Sequence, residues 1–170
     1  MILLLIGTLV MMYVMMMTGK TLKTEITPLG ILDLEFTHYG VRAEKILIAW
    51  SAQGDTGSII NDAKRNTYLD FIFLLFYSSF LFCSCKLMVK KGVATYKKIA
   101  NLFAYASLAA GFLDILENIG MLKILNGSVS GSITFFTTAC AILKWTLVIL
   151  VILFLLIGLI VKLLPRKKFT

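Results

Sequence analysis

Apolar residues dominate four stretches of the chain, Ile2 to Met17, Tyr68 to Met88, Ile99 to Leu122 and Ile133 to Leu164, while charged residues gather between them. Crossing a hydrocarbon layer of roughly 30 Å takes about 20 helical residues. The pattern predicts an all-α fold, a polytopic membrane four-helix bundle formed by the 170 residues as a single transmembrane domain. The first stretch is the shortest. It has no basic residue ahead of it and no small-x-small cleavage site after Met15, Met16 and Met17, so it reads as an anchor and not a signal peptide. The fourth exceeds a perpendicular span and is expected to tilt, or to project beyond the membrane at its Ser132 to Ala139 end.

Polar residues inside these stretches change the picture. In the third, Ala104, Ser107, Gly111, Asp114 and Asn118 recur at steps of three and four, so small and polar residues share one helical stripe. Small residues let helices approach and polar ones hydrogen-bond across the contact, which places this stripe toward the bundle interior. Glu117 lies beside it, one turn from Asp114. Thr134, Thr137, Ala141, Lys144 and Val148 form a comparable stripe in the fourth stretch, and Asp70, Leu74, Tyr77, Leu81 and Ser84 a sparser one in the second. An ionisable residue at membrane depth costs about 2.5 to 3.5 kcal/mol at a helix centre and points by default to a functional site. Asp70, Asp114, Glu117, Asn118 and Lys144 are therefore the candidate polar pocket, with Asp70 at its rim. One lysine cannot neutralise three acids, so at least one carboxyl is expected to be protonated or to reach water. The competing reading is a buried ion pair that only fixes helix register.

The segment from Gly19 to Asn66 is too long for a simple connection. Thr27-Pro28-Leu29-Gly30 is a turn signal. Ile31 to Phe36 is short and ambiguous, and reads as an extended stretch against the bundle mouth. Val41, Ile46, Leu47 and Trp50 give an approximately helical apolar face, and so predict an amphipathic helix lying at the interface or capping the bundle. Asp33, Glu35, His38 and Trp50 are the candidate lid residues. After Gln53-Gly54-Asp55-Thr56-Gly57, the run Ser58 to Asn66 is expected to lead helically into the second span.

Composition agrees with a membrane protein: 59% of residues are hydrophobic, 15% are charged, and the mean hydropathy is +0.90. Charge adds an orientation. Lys86, Lys90, Lys91, Lys97 and Lys98 surround one connection and Lys162, Arg166, Lys167 and Lys168 crowd the C-terminus, whereas the Gly19 to Asn66 segment balances six basic residues with six acids. The lysine-rich ends are expected in the cytoplasm, with both termini inside. The net charge of +8 then follows from topology and needs no nucleic acid partner, although basic rims attract anionic lipid headgroups.

Other chemistry is sparse. Cys83 and Cys85 fall at the expected cytoplasmic end and Cys140 near the other side, which argues against a disulfide between them. His38 is the sole histidine; beside Asp33 and Glu35 it is expected to be hydrogen-bonded and not a metal ligand. No phosphate loop, nucleophile elbow or metalloprotease signature is present, so no cofactor or metal is expected. The ordered set Gly30-Ile-Leu-Asp-Leu-Glu-Phe36, Ala43-Glu-Lys-Ile-Leu47 with Trp50, Tyr68-Leu-Asp-Phe71, Ala110-Gly-Phe-Leu-Asp-Ile-Leu-Glu-Asn118 and Lys144-Trp145 resembles a group of small, functionally uncharacterised bacterial membrane proteins with four spans. That resemblance implies a bacterial inner membrane and no particular activity. The residues themselves lead us to expect an outward-facing intramembrane pocket for a lipid or other amphiphilic small molecule. An accessory or assembly subunit bound to a membrane protein partner is the alternative, and a membrane-embedded acid-base enzyme such as an isomerase is a third reading. A proton pathway ranks last, because the inner halves of the second and fourth spans are nearly all apolar.

Overall fold

The structure, a computed structural model, describes residues 1–52, 58–89 and 94–163. It is all-helical, and no strand occurs among the described residues. The six α-helices are α1 (Ile2–Thr18), α2 (Ile31–Glu35), α3 (Gly40–Ala52), α4 (Ser58–Val89), α5 (Ala94–Leu125) and α6 (Gly131–Leu163). The Gln53 to Gly57 connection and the basic residues Lys90, Lys91 and Arg166 to Lys168 lie outside the described residues.

Three helices, α4, α5 and α6, are long and apolar enough to cross a membrane. The first expected span is shorter: α1 has 17 residues and so measures about 25 Å at 1.5 Å per residue. On α6 the large apolar residues Phe135, Ile142, Ile149, Ile157 and Val161 are exposed. An apolar surface that extensive suits lipid and not water.

α5 is the centre of the bundle. It packs along both α4 and α6, which meet each other over a shorter stretch, and α1 lies against the far side of α4. Glycines set the closest approaches. A Cβ on Gly111 would sit 2.9 Å from the Cβ of Ser78 on α4, and one on Gly120 would collide with Thr137 on α6. Gly7 lets α1 close on Phe76 of α4 in the same way. The stripe predicted on α5 is the buried one: Ala104, Ser107, Gly111, Asp114 and Asn118 all face inward, as do Thr134, Thr137, Ala141 and Lys144 on α6.

The segment between α1 and α4 folds over one end of the bundle as a cap. The α1 terminus is tied down by Asn66, whose Nδ2 donates to Thr18 Oγ1 at 2.7 Å and to the Met15 carbonyl at 3.0 Å, an acceptor it shares with the Gly19 N–H. Two sequence expectations are corrected here. Ile31 to Glu35 is a short helix and not an extended stretch, entered through Gly30 at φ 70, a left-handed angle that glycine accepts without cost. The buried face of α3 is Ala43, Ile46, Ala49 and Trp50, with Val41 exposed. The rotation follows from Trp50, which is fully buried and donates from Nε1 to Thr27 Oγ1 at 3.1 Å, so it anchors the cap and is not an interfacial aromatic.

Two apolar layers result. Leu22, Leu34, Ile46, Trp50, Met121 and Ile124 form one beneath the cap. Leu74, Tyr77, Leu81, Cys85, Ala104 and Val151 form the other, further along the bundle, with Phe103 stacked on Phe154 at 4.6 Å between centroids.

Candidate functional site

The polar residues of three helices converge between those layers. At about 1.5 Å per residue, Asp70 lies roughly 18 Å from the start of α4, and Asp114 and Glu117 lie roughly 16 and 12 Å from the end of α5. Lys144 lies roughly 20 Å from the start of α6 by the same rise. Antiparallel neighbours therefore bring all four to similar depth, near the capped end. Because α5 is central, its stripe can meet side chains from both flanking helices.

Lys144 is the hub. Its Nζ donates to Asp114 Oδ1 at 2.9 Å and stands 2.7 Å from Glu117 Oε2. Asp114 is fully engaged, since its Oδ2 accepts the Tyr77 hydroxyl at 2.7 Å. Asp70 is half-buried on the flank and accepts from Asn118 Nδ2 at 2.7 Å. Lys144, Asp114 and Glu117 retain only 6%, 2% and 0% of their exposure, so water reaches none of them freely.

Glu117 differs from Asp114 in one respect. Its Oε2 is ion-paired with Lys144 at 2.7 Å, whereas its Oε1 has no hydrogen-bond partner. A second buried oxygen, Glu35 Oε2, is likewise without a partner. Glu35 ends α2, which is pinned to α6 where Thr138 Oγ1 donates to the Glu35 carbonyl at 2.8 Å. Its carboxylate acts on Lys144 together with those of Asp70, Asp114 and Glu117, so four acids share the field of one lysine. A buried acceptor without a donor forfeits about 1–3 kcal/mol, more when charged.

The structure thus brings together Asp70, Asp114, Glu117, Asn118 and Lys144, and sets Glu35 above them. It does not add the other expected lid residues. Asp33 turns away, accepting the Leu29 backbone N–H at 2.7 Å and facing Arg42 at 3.8 Å. His38 is exposed and packs on Tyr39, with ring centroids 4.0 Å apart. No group of three or more His, Cys, Asp or Glu side chains arranged to hold a metal ion occurs among the described residues. Tyr77 is the member not singled out from sequence, although it shares the α4 stripe with Asp70, two turns away.

Two surface grooves lie nearby, and neither opens directly on Lys144. One, of ≈ 470 Å³, is lined by Ile26, Tyr39, Val41, Arg42, Lys45 and Ile46 on the cap. The other, of ≈ 350 Å³, runs between α5 and α6 along Leu116, Ile119, Gly120, Ile133 and Phe136, with Lys123 toward its end. It shares with the cluster the α5 turn that carries Glu117, and the tight Gly120–Thr137 contact closes the seam between the helices there.

Fold and site together define an all-helical bundle with three membrane-length helices and a buried, acid-rich cluster centred on Lys144. Comparison with known proteins finds no matching family model, curated protein or solved structure.

Proposed function

We propose that this protein is a bacterial inner-membrane protein that binds an amphiphilic small molecule or lipid, holding its polar end at the Lys144 cluster. The capped end faces out of the cell and both termini lie in the cytoplasm, as the lysine-rich connection and C-terminus favour. The observation that carries this reading is a juxtaposition: the buried polar cluster and an apolar groove of ≈ 350 Å³ lie against one turn of α5, Leu116 to Gly120. A polar end at Glu117 and a chain along Leu116, Ile119 and Phe136 would satisfy both. Ligand sites commonly combine apolar walls with a few convergent polar groups, and an acid inside a membrane helix is expensive without a use. Entry requires the α5–α6 seam or α2 to move, since the cluster is closed as it stands.

Native mass spectrometry of the protein released gently from its own membrane, beside a Glu117→Gln variant, tests this. A bound amphiphile present in the wild type and lost in the variant is the expected outcome. A bare chain, or one carrying a second protein in both samples, would sink the proposal. That result would favour the alternative of an accessory subunit, whose supporting observation is the near-complete burial of Asp114, Glu117 and Lys144.

A further inference from the structure

The unpartnered oxygens carry the reading one step further, to the class of polar group the site would take. Glu117 is 0% exposed; its Oε2 is ion-paired with Lys144 at 2.7 Å, but its Oε1 has no hydrogen-bond partner, and the buried Oε2 of Glu35 has none either. The donors of the cluster are already engaged: Lys144 with Asp114 and Glu117, the Tyr77 hydroxyl with Asp114, and Asn118 Nδ2 with Asp70. What the site lacks is donors, not acceptors. One cation faces four carboxyls: Lys144 is ion-paired with Asp114 and Glu117, and Glu35 and Asp70 act on it as well.

An anionic headgroup would add negative charge and further acceptors to a site already rich in both, and like charges at short range repel. A neutral hydroxyl could supply one donor and no charge. A primary ammonium supplies three donors and a positive charge at a single atom, the same chemistry by which Lys144 engages Asp114. We infer that the polar group held by this site is a protonated primary amine on an apolar chain, seated against Glu117 beneath Glu35. This rests on the proposed amphiphile-binding role and specifies the headgroup.

The test uses the full chain in non-ionic detergent micelles with dodecylamine, dodecyltrimethylammonium and dodecyl phosphate as separate probes, read by native mass spectrometry and by titration. Dodecylamine should be retained at one per chain. The trimethylammonium probe keeps the charge but has no N–H donors, and should bind about tenfold more weakly, as expected for losing charge-assisted hydrogen bonds. Glu117→Gln should weaken the amine by about tenfold as well. Glu35→Gln, on the cap and away from the bundle core, should weaken it severalfold while leaving the fold intact, so the prediction stands even if the Glu117 variant folds poorly. Dodecyl phosphate bound in preference to the amine would overturn the ammonium assignment and leave amphiphile binding in place. Amine binding unchanged in both variants would overturn the assignment to these residues. Retention of no probe at all would overturn the headgroup assignment and the binding role together.

Discussion

Two of the buried polar groups among the described residues, one in the cap and one in the bundle, are finished to different degrees. In the cap, Trp50 Nε1 donates to Thr27 Oγ1, which donates in turn to the Leu22 carbonyl at 2.7 Å and lies 2.8 Å from Thr24 Oγ1. Every member is neutral and partnered. In the bundle, Lys144 and Asp114 are as well satisfied, but Glu117, although its Oε2 is ion-paired with Lys144 at 2.7 Å, and Glu35 each hold a buried oxygen without a hydrogen-bond partner. A network that serves only to hold a fold gains nothing from such oxygens, because unsatisfied buried acceptors are costly. The cap therefore shows what a structural network in this chain looks like, and the departure of the Lys144 cluster from it marks where binding is to be sought.

Substitutions can break or sharpen that contrast. The largest effect is expected at Trp50, the bulkiest fully buried side chain. Trp50→Ala should cost about 3–5 kcal/mol by removing packing and the Thr27 bond together. Trp50→Phe should cost only about 1–2 kcal/mol, and unfolding titrations in micelles would separate the two. A Trp50→Ala protein as stable as wild type would mean that the cap is not part of the cooperative fold.

Lys144→Met comes next. It strands Asp114 and Glu117 without a cation, at a cost of about 3–5 kcal/mol. Adding Asp114→Asn should return a good part of this, since the isolated charge is the source of the loss. If the double variant were no better than the single one, the lysine would be acting through packing and the ion-pair account would fail.

The smallest effect on stability is expected for Glu117→Gln, within about 1 kcal/mol of wild type, because Lys144 keeps its bond to Asp114 and the excess of acid around it falls by one. Asp114→Asn, which removes a fully partnered carboxylate, should be the more damaging of the two. Equal losses in the same unfolding assay would erase the distinction between a saturated and an incompletely saturated acid on which the proposed binding site rests.

Much of this was readable along the chain. The helical stripes on α5 and α6 fall where periodicity puts them, and Asp114, Asn118 and Lys144 are buried on the faces that their small neighbours predicted. Period and hydropathy are local properties, and a helix passes them unchanged into its faces. The short α2, the rotated face of α3 and the place of Trp50 were not readable, because each depends on a partner far along the chain: Thr138 for Glu35, Thr27 for Trp50. The first stretch was readable as a helix, yet its 17 residues leave it shorter than the three that meet the length of a span.

The sequence by itself determined an all-helical bundle, three of its membrane-length helices, and the faces on which the acids and the lysine lie, since these follow from spacing and from the cost of charge among apolar residues. Only the tertiary structure decided that both oxygens of Asp114 receive donors while Glu117 Oε1 receives none, that Tyr77 joins the cluster and that Glu35 lies close enough to act on Lys144. Hydrogen bonding is directional and short-ranged, so whether a buried oxygen finds a donor depends on the final ångström of helix packing, which no periodicity along one chain encodes.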